Sequence, residues 1–134
     1  MATPYQDRTL PAPSVYPDNQ AFWDAAARNE LLIPVCEACG PYWYPRPNCP
    51  HCGSAKTSMQ PSPGKGVVYS LSITRKAGPQ AYAIAYVTLD EGITLLTNLV
   101  DCDLDTVRIG DRVELVFKPT DGGPPVPMFR PAAR

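Results

Sequence analysis

Four cysteines in the first half of the chain have the types and spacing of a metal-binding motif. They form two Cys-x-x-Cys pairs separated by nine residues, namely Cys36, Cys39, Cys49 and Cys52. Two such pairs can place four thiolates around one ion, and a tetrahedral set of sulfur ligands suits zinc. A redox dithiol would need only one pair. Four thiolates also fill the zinc shell and leave no position for water, so we predict a structural Zn2+.

The residues around these pairs indicate how the sulfur atoms are stabilised. Gly40 and Gly53 follow the second cysteine of each pair. Glycine permits a positive φ, which lets backbone N–H groups turn toward the thiolates and disperse their charge. His51, the single histidine, lies inside the second pair, where we expect an exposed side chain rather than a fifth ligand or an acid-base group.

The remaining chemistry-bearing residues form no catalytic constellation. With His51 tied to the cysteine motif, no histidine is left to act as the general base of a triad. No glycine-rich phosphate loop follows a predicted strand. The acidic run Asp101, Asp103 and Asp105 lacks the glycine and glutamate of a calcium loop, and Cys102 has no histidine near it in sequence. We therefore predict no catalytic residue in this chain.

Composition restricts the class of protein. The chain has 134 residues, of which 44% are hydrophobic and 19% charged, as in one medium or two small folded domains. Its net charge of −1 argues against a strongly cationic binder of nucleic acid or membrane surfaces. The N-terminus has no signal-peptide pattern, and no apolar run is long enough to span a membrane. Reduced cysteine pairs then favour a cytoplasmic protein.

The elements that must position the cysteines begin with an arm and a helix. Residues 1–17 contain four of the seventeen prolines and no hydrophobic period, so we predict an extended arm that is ordered against a partner. Asp18 is predicted to cap an alanine-rich helix over 19–29. Residues 31–35 are predicted to be extended, and 58–66, with two prolines and two glycines, to be a linker.

The second half of the chain is predicted to be β-structure. Alternation of apolar and polar residues predicts five strands, at 67–74, 81–90, 93–100, 112–118 and 126–131. The Asp-Glu-Gly turn at 90–92 predicts a hairpin between the second and third strands. Five short strands with a small polar insert after the third are typical of a Greek-key barrel of OB type. A five-stranded sandwich is the alternative.

These elements together predict a mainly β protein in three parts. An arm over 1–17 precedes an N-terminal helix with a zinc ribbon over 18–57, and a five-stranded OB-type barrel with a C-terminal tail follows over 58–134.

This order of elements resembles the rubredoxin-like zinc-ribbon plus OB-fold proteins that are associated with acyl-CoA enzymes. The resemblance covers residues 18–131, and the phrase PRPNCPHCGS together with the Leu-Asp-Glu-Gly turn is its most specific part. It is carried by the segments AFWDAAARNELLIPVCEACG, YPRPNCPHCGS, GKGVVYSLSIT, AIAYVTLDEGITLLTNLVD, VRIGDRVELVFK and PMFRP.

The resemblance implies a partner role rather than an activity. Family members stand beside thiolase-like subunits that perform thiolysis, acyl transfer or steroid side-chain aldol cleavage, and the thiolase-like subunit carries the catalytic residues. The zinc-ribbon and OB subunit docks on that enzyme, supports it, and is expected to help form the coenzyme A channel. Some relatives are fused to, or bound by, a hydratase. By this resemblance the chain is an essential, non-catalytic subunit of a hetero-oligomer that binds acyl-CoA at a shared site.

Two sets of residues are candidates for contacts in such a complex. Arg75 and Lys76, between the first two strands, lie where OB barrels receive ligands and are candidates for coenzyme A phosphates. A solvated basic loop is the alternative for both. Aromatic residues that could anchor a partner, or else pack the ribbon against helix and barrel, are Phe22, Trp23, Tyr42, Trp43 and Tyr44.

A single-stranded nucleic-acid-binding module is the alternative function, since zinc ribbons and OB barrels both serve that purpose. It requires a basic groove and stacking aromatic residues on the second and third strands. Twelve Lys and Arg are balanced by thirteen Asp and Glu, and only Tyr82 and Tyr86 are available for stacking, both on one strand. A free-standing thioester enzyme is disfavoured further, because the chain lacks a base.

Overall fold

The computed structural model describes residues 2–76 and 78–132. Among these, a short helix precedes a three-stranded sheet and a closed five-stranded barrel. No helix in the described ranges is long and apolar enough to cross a membrane. The elements in chain order are α1 (Gln20–Ala26), β1 (Leu31–Cys36), β2 (Gly40–Pro41), β3 (Thr57–Ser62), β4 (Lys65–Thr74), β5 (Tyr82–Leu89), β6 (Thr94–Leu99), the 3-10 turn η1 (Leu104–Thr106), β7 (Arg112–Lys118) and β8 (Val126–Pro131).

The N-terminal arm lies along the barrel of its own chain. The Tyr5 N–H donates to the Cys102 carbonyl over 2.8 Å. Leu10 is buried and packs with Val100 and Met128. The prediction that this arm is ordered only against a partner is therefore wrong. Its backbone groups and one apolar side chain find their partners within the chain.

The N-terminus of α1 differs from its prediction by one residue. Asn19, not Asp18, is the residue before the helix, and its side chain makes no capping hydrogen bond. Instead, Asn19 Oδ1 accepts a hydrogen bond from the Tyr16 N–H at 2.7 Å, and its side-chain amide donates to the Ser14 carbonyl. The prediction of Asp18 as the N-cap is therefore wrong. Asn19 has that position, and its side chain binds the end of the arm instead of the helix N-terminus.

The C-terminus of α1 comes earlier than alanine content predicts. Residues 27–29 form a tight turn in which Arg28 N–H bonds to the Ala25 carbonyl and Asn29 N–H to the Ala26 carbonyl. Asn29 then takes a left-handed conformation, with φ of 59°. Asparagine tolerates this conformation better than most residues, and it ends helices for the same reason as glycine. The chain can therefore reverse into β1.

The ribbon sheet has the strand order β2-β1-β3, and both pairings are antiparallel. β3 pairs with β1 over its whole length, from Leu31 opposite Ser62 to Cys36 opposite Thr57. The prediction of a linker over 58–66 is thus wrong for its first five residues. β3 is an edge strand, where a proline such as Pro61 is tolerated because a free N–H is not required there.

The barrel closes in the order β4-β5-β6-β8-β7, with β4 pairing back onto β7. The predicted hairpin of β5 and β6 is confirmed by a register that runs from Ala83 opposite Leu99 to Thr88 opposite Thr94. η1 occupies the predicted polar insert between β6 and β7. The five-stranded barrel is confirmed and the sandwich is wrong, because the sheet closes on itself.

One core joins the helix, the ribbon and the barrel. Phe22 of α1 and Ile33 of β1, each 2% exposed, belong to the same buried cluster as Val87, Leu99 and Phe129 of the barrel. Burying one side chain of this size stabilises a fold by roughly 1.5–3 kcal/mol. The cysteine ribbon is consequently held against the barrel rather than carried as a separate module.

Candidate functional site

The four cysteines of the ribbon converge on one point. Cys36 ends β1, Cys39 precedes β2, and Cys49 and Cys52 lie in the loop before β3. Their sulfur atoms all lie within 4.8 Å of one another, and the Cys36 and Cys52 Sγ atoms are 3.7 Å apart. Sulfurs bound tetrahedrally at about 2.3 Å from zinc stand about 3.8 Å apart. The predicted convergence of both pairs is confirmed, and this donor set fits zinc.

Half of the cluster is buried and half faces solvent. Cys36 and Cys49 are 1% and 2% exposed, and both pack against the buried ring of Tyr42. Cys39 and Cys52 are exposed. A bound ion would be shielded on the side of Tyr42 and reachable from solvent through the opposite pair.

The thiols differ in how readily they lose a proton. Hydrogen bonds from the backbone N–H groups of Cys39 and Ala38 lower the pKa of Cys36 to about 7. A hydrogen bond with Cys52 raises the pKa of the Cys39 thiol to about 12, because the donating thiol must be protonated. Because zinc binds cysteine as the thiolate, a divalent cation would displace the remaining thiol protons of this cluster.

The glycine after each cysteine pair has the positive φ that the sequence analysis expected. Gly40 and Gly53 have φ of 85° and 77°, a region that residues with a Cβ rarely adopt. In the second pair, the His51 N–H donates to Cys49 Sγ at 3.4 Å. The His51 side chain is exposed, as predicted.

The two basic residues proposed for phosphate binding have different environments. Arg75 Nη2 donates to Asp105 Oδ1 in an ion pair, and Asp105 also accepts a hydrogen bond from Thr3 Oγ1 at 2.7 Å. Lys76 is exposed. The coenzyme A role of these residues stays a prediction. For Arg75, phosphate binding would compete with an existing carboxylate partner.

The predicted aromatic anchors divide into buried and partly exposed rings. Phe22 and Tyr42 are 2% exposed and Trp23 is 8% exposed, so these rings fill the interior of their own chain. Trp43 and Tyr44 keep intermediate exposure and contact each other edge to face at 5.2 Å between ring centres. A partner role for the five residues stays a prediction, and the monomer leaves ring surface for it mainly at Trp43 and Tyr44.

A groove separates the ribbon from the barrel beside these two rings. It has a volume of about 410 Å³ and is lined by Trp23, Trp43 and Tyr44 on one side and by Leu96 and Pro127 on the other. The Trp23 Nε1–H is buried and makes no hydrogen bond within the described part of the chain. The groove is mainly apolar, with Thr97 and Asn98 as polar residues on the barrel side and Arg8 at the edge where the arm crosses.

The barrel also exposes large apolar side chains that the sequence analysis did not single out as a group. Tyr69, Ile84, Tyr86 and Leu96 are between 43% and 66% exposed, and all lie on β4, β5 or β6. The signal in the sequence was the lack of charge at the outward positions of these strands. Only Tyr86 was noticed, as a residue for stacking on bases.

The fifth cysteine is not activated. Cys102 is partly buried, and burial, together with the charges of Asp103 and Asp101, raises its pKa to about 11. Its thiol is protonated at neutral pH, whereas a nucleophilic cysteine needs a lowered pKa. Cys102 therefore has the environment of a packing residue.

The fold and the cluster together define a class, a zinc-ribbon protein joined to an OB-type barrel. Comparison with known families supports this class in both halves. A family model described as the rubredoxin-like zinc ribbon domain of ChsH2 matches residues 23–58, and one described as the C-terminal OB-fold domain of ChsH2 matches residues 59–118.

Individual relatives identify the family. A protein of Methanothermobacter thermautotrophicus, named a DUF35 domain-containing scaffold protein, is 36% identical over 98 residues, which are 68% of this chain and 74% of that protein. The chain therefore belongs to the ChsH2/DUF35 family. The predicted resemblance to ribbon and OB-fold proteins is confirmed.

Two further proteins are similar over most of this chain. A probable enoyl-CoA hydratase alpha subunit of Thermomonospora curvata is 37% identical over 127 residues, or 91% of this chain and 40% of that protein. This chain thus spans less than half the length of that relative. A solved structure described as the Ltp2-ChsH2(DUF35) aldolase contains a chain that is 36% identical. That chain superimposes with a TM-score of 0.78, covering 90% of this chain and 99% of its own.

Proposed function

We propose that this chain is a scaffold subunit without a catalytic site of its own, which docks on a thiolase-like enzyme and supports its action on acyl-CoA substrates. The observation that carries the proposal is the likeness to the DUF35 chain of an aldolase assembly, which extends over 99% of that chain. The relative named a scaffold protein supports the same role. Retro-aldol cleavage is favoured over thiolysis or acyl transfer as the partner's reaction, since the similar assembly is an aldolase.

In this proposal, the four cysteines hold a structural Zn2+. The ion would cross-link the ends of the segment 36–52 and so fix the ring positions of Trp43 and Tyr44 beside the groove. Structural zinc sites supply folding free energy to small ribbons with little core of their own. The thiolates must stay reduced, which supports a cytoplasmic location.

Two further parts of the proposal concern the coenzyme A phosphate and a second enzyme in the assembly. Lys76, exposed between β4 and β5, is the residue better placed for a coenzyme A phosphate, because Arg75 already pairs with Asp105. A hydratase is proposed as a further neighbour, since the relative from Thermomonospora curvata carries that name and is longer than this chain. Acyl-CoA would then meet both enzymes in one assembly.

The nucleic-acid alternative has little physical support. An OB barrel that binds single strands tracks the phosphate backbone with Lys and Arg on its binding strands. The three strands that would serve here, β4, β5 and β6, carry one basic residue, Lys65, at the very start of β4.

Co-expression with a thiolase-like protein of the same organism tests the proposed function. We expect the two proteins to co-purify in a fixed ratio, and the complex to cleave a β-hydroxyacyl-CoA while the purified chain alone does not. Turnover of a thioester by the chain alone would overturn the proposal. So would two stably folded proteins that elute separately at micromolar concentration.

A further inference from the structure

Four exposed apolar side chains form a continuous patch on the outside of the barrel. Tyr86 of β5 stands opposite Leu96 of β6, and Ile84 lies two residues from Tyr86 on the same face. Tyr69 of β4 lies at a register shift next to Ser70, which is the partner of Tyr86. Their exposed fractions are 66% for Tyr69, 43% for Ile84, 47% for Tyr86 and 58% for Leu96. We call this patch the β4–β6 face.

The β4–β6 face is electrically neutral. Residues 66–74, 82–89 and 94–99 contain no charged side chain. Its outward polar positions are filled by hydroxyl groups, such as Thr88 and Thr94, which hydrogen-bond to each other at 2.9 Å. An exposed apolar patch with a neutral polar rim marks an interaction site rather than an ordinary surface.

Two of the cations at the edges of this face already have carboxylate partners. Arg75 pairs with Asp105, and Arg112 pairs with Asp90 at 2.8 Å. A phosphate backbone would therefore meet only the exposed Lys65 and Lys76 at the two ends of β4, although a positive field dominates nucleic-acid affinity. Charged patches at interfaces meet patches of opposite charge, and a neutral face therefore fits an uncharged apolar surface on another protein.

We propose that the β4–β6 face is the surface by which this chain docks on the thiolase-like subunit, against an uncharged apolar patch of that subunit. The inference rests on the proposed function and names the surface that performs it. Tyr69 and Tyr86 are its centre, because a tyrosine ring buries a large apolar area while its hydroxyl group bonds to the partner.

Other occupants of the face fit less well. The chain's own arm reaches only the edge of the face, where Arg8 lies over the Tyr82 ring at 4.7 Å and lines the groove beside Leu96. The rest of the arm is bound elsewhere, since Pro4 bridges to Asp103 and Pro11 to Asp121. A large side chain buries about 150–250 Å² when covered, so four at roughly half exposure offer on the order of 400 Å². Two copies facing each other would then bury on the order of 800 Å², which is below the size of a stable interface.

A larger partner can bury more than a second copy, because the face continues into the groove. Leu96 belongs to both, and it lines the groove together with Trp43 and Tyr44. A subunit that covers the face, inserts a segment into the groove and contacts the surface around both has room for the standard interface of roughly 800 Å² per partner.

Hydroxyl-radical footprinting of the purified complex with the thiolase-like subunit tests the inference. Binding should strongly reduce the labelling of Tyr69 and Tyr86, while Tyr16, which is 61% exposed on the arm, should keep its reactivity. By calorimetry, Tyr86→Asp should weaken the affinity for that subunit by roughly tenfold or more. The control Tyr16→Asp, at a tyrosine that is at least as exposed, should bind like the wild-type chain.

The outcomes separate this inference from the proposed function. A complex that forms with Tyr86 as reactive as in the free chain overturns the inference and leaves the proposed function standing. Equal loss of affinity in Tyr16→Asp and Tyr86→Asp overturns it as well. Protection of Tyr86 that rises with the concentration of the chain alone would assign the face to a second copy, contrary to the proposal. Absence of any wild-type complex overturns both.

Discussion

The sulfur atoms of Cys36 and Cys52 lie 3.7 Å apart, although the two residues are sixteen positions apart in the sequence. Cys36 ends a strand that is buried in the common core, whereas Cys52 lies in an exposed turn. Their contact therefore anchors the far end of the loop between them to a residue of the buried core. That loop carries Trp43 and Tyr44, the aromatic residues beside the groove.

Replacing Cys39 with serine should release the metal and loosen this loop. Three thiolates and a hydroxyl group bind zinc far more weakly than four thiolates, and the ion contributes on the order of 10 kcal/mol to a small ribbon. Elemental analysis of purified protein should fall from one zinc per chain toward none. Cys102→Ser is the control and should keep its zinc, because Cys102 lies outside the cluster. A Cys39→Ser protein with full zinc content would contradict the four-sulfur assignment.

Gly66→Ala should destabilise the barrel where β4 closes onto its neighbours. A Cβ at Gly66 would collide with the Thr88 carbonyl oxygen of β5, a backbone atom that cannot turn away. Overpacking of this kind costs about 1–3 kcal/mol, which urea unfolding measures directly. At Gly78 a Cβ meets nothing within 4 Å, so Gly78→Ala should stay within about 0.5 kcal/mol of the wild type. Equal stability of the two variants would show that β4 and β5 are not packed this closely.

Lys118→Met should free the N-terminal arm without unfolding the barrel. Lys118 Nζ binds Asp101 at 2.6 Å and Asp7 at 3.1 Å, and it lies over the Tyr5 ring. Loss of the ammonium group removes the Asp7 ion pair and the Tyr5 ring contact, which connect β7 with the arm. Trypsin cleavage after Arg8 should accelerate, whereas the melting temperature should change little. Lys56→Met, at an exposed lysine of the ribbon loop, is the control, and unchanged cleavage in Lys118→Met would argue against the connection.

Acid should release the start of the arm through Asp105. Hydrogen bonds from Thr3 and Arg75 hold the pKa of Asp105 below its ordinary value of 3.8. Because the folded pKa is lowered, the contribution to stability is complete above the unfolded pKa and disappears as pH falls through the folded one. Asp105 holds the Thr3 hydroxyl group, while the Thr3 amide donates to Asp103 Oδ1. Loss of the hydroxyl contact should loosen the neighbouring amide hydrogen bond, so the Thr3 amide should exchange faster with solvent below about pH 4. Asp105→Asn should show fast exchange already at neutral pH, and a wild-type amide unaffected by acid would contradict this role.

Local patterns predicted most of the fold correctly. Cysteine spacing identified the cluster because each pair needs only four residues of chain. Strand alternation identified β4 to β8, most clearly β5 and β6, in which every second residue is buried. The strand β3 was missed since Pro61 and Pro63 suggested a linker, and only the edge position of β3 makes Pro61 compatible with pairing. Propensity alone could not show this.

Long-range contacts explain the other differences. The arm has no periodicity, and its order depends on residues about a hundred positions later, as in the bond from Thr3 to Asp103. The burial of Phe22 and Tyr42 depends on how helix and ribbon pack together, which no local pattern records. The β4–β6 face was overlooked because an exposed Tyr86 or Leu96 becomes meaningful only when neighbouring strands bring them together.

Titrating the thiolase-like subunit with this chain, while measuring retro-aldol turnover of an acyl-CoA, tests the scaffold role most directly. The account predicts no turnover with the chain alone, and an activity of the subunit that rises to a plateau at a fixed stoichiometric ratio. Full activity of the thiolase-like subunit without this chain, or turnover by this chain without the subunit, would contradict it.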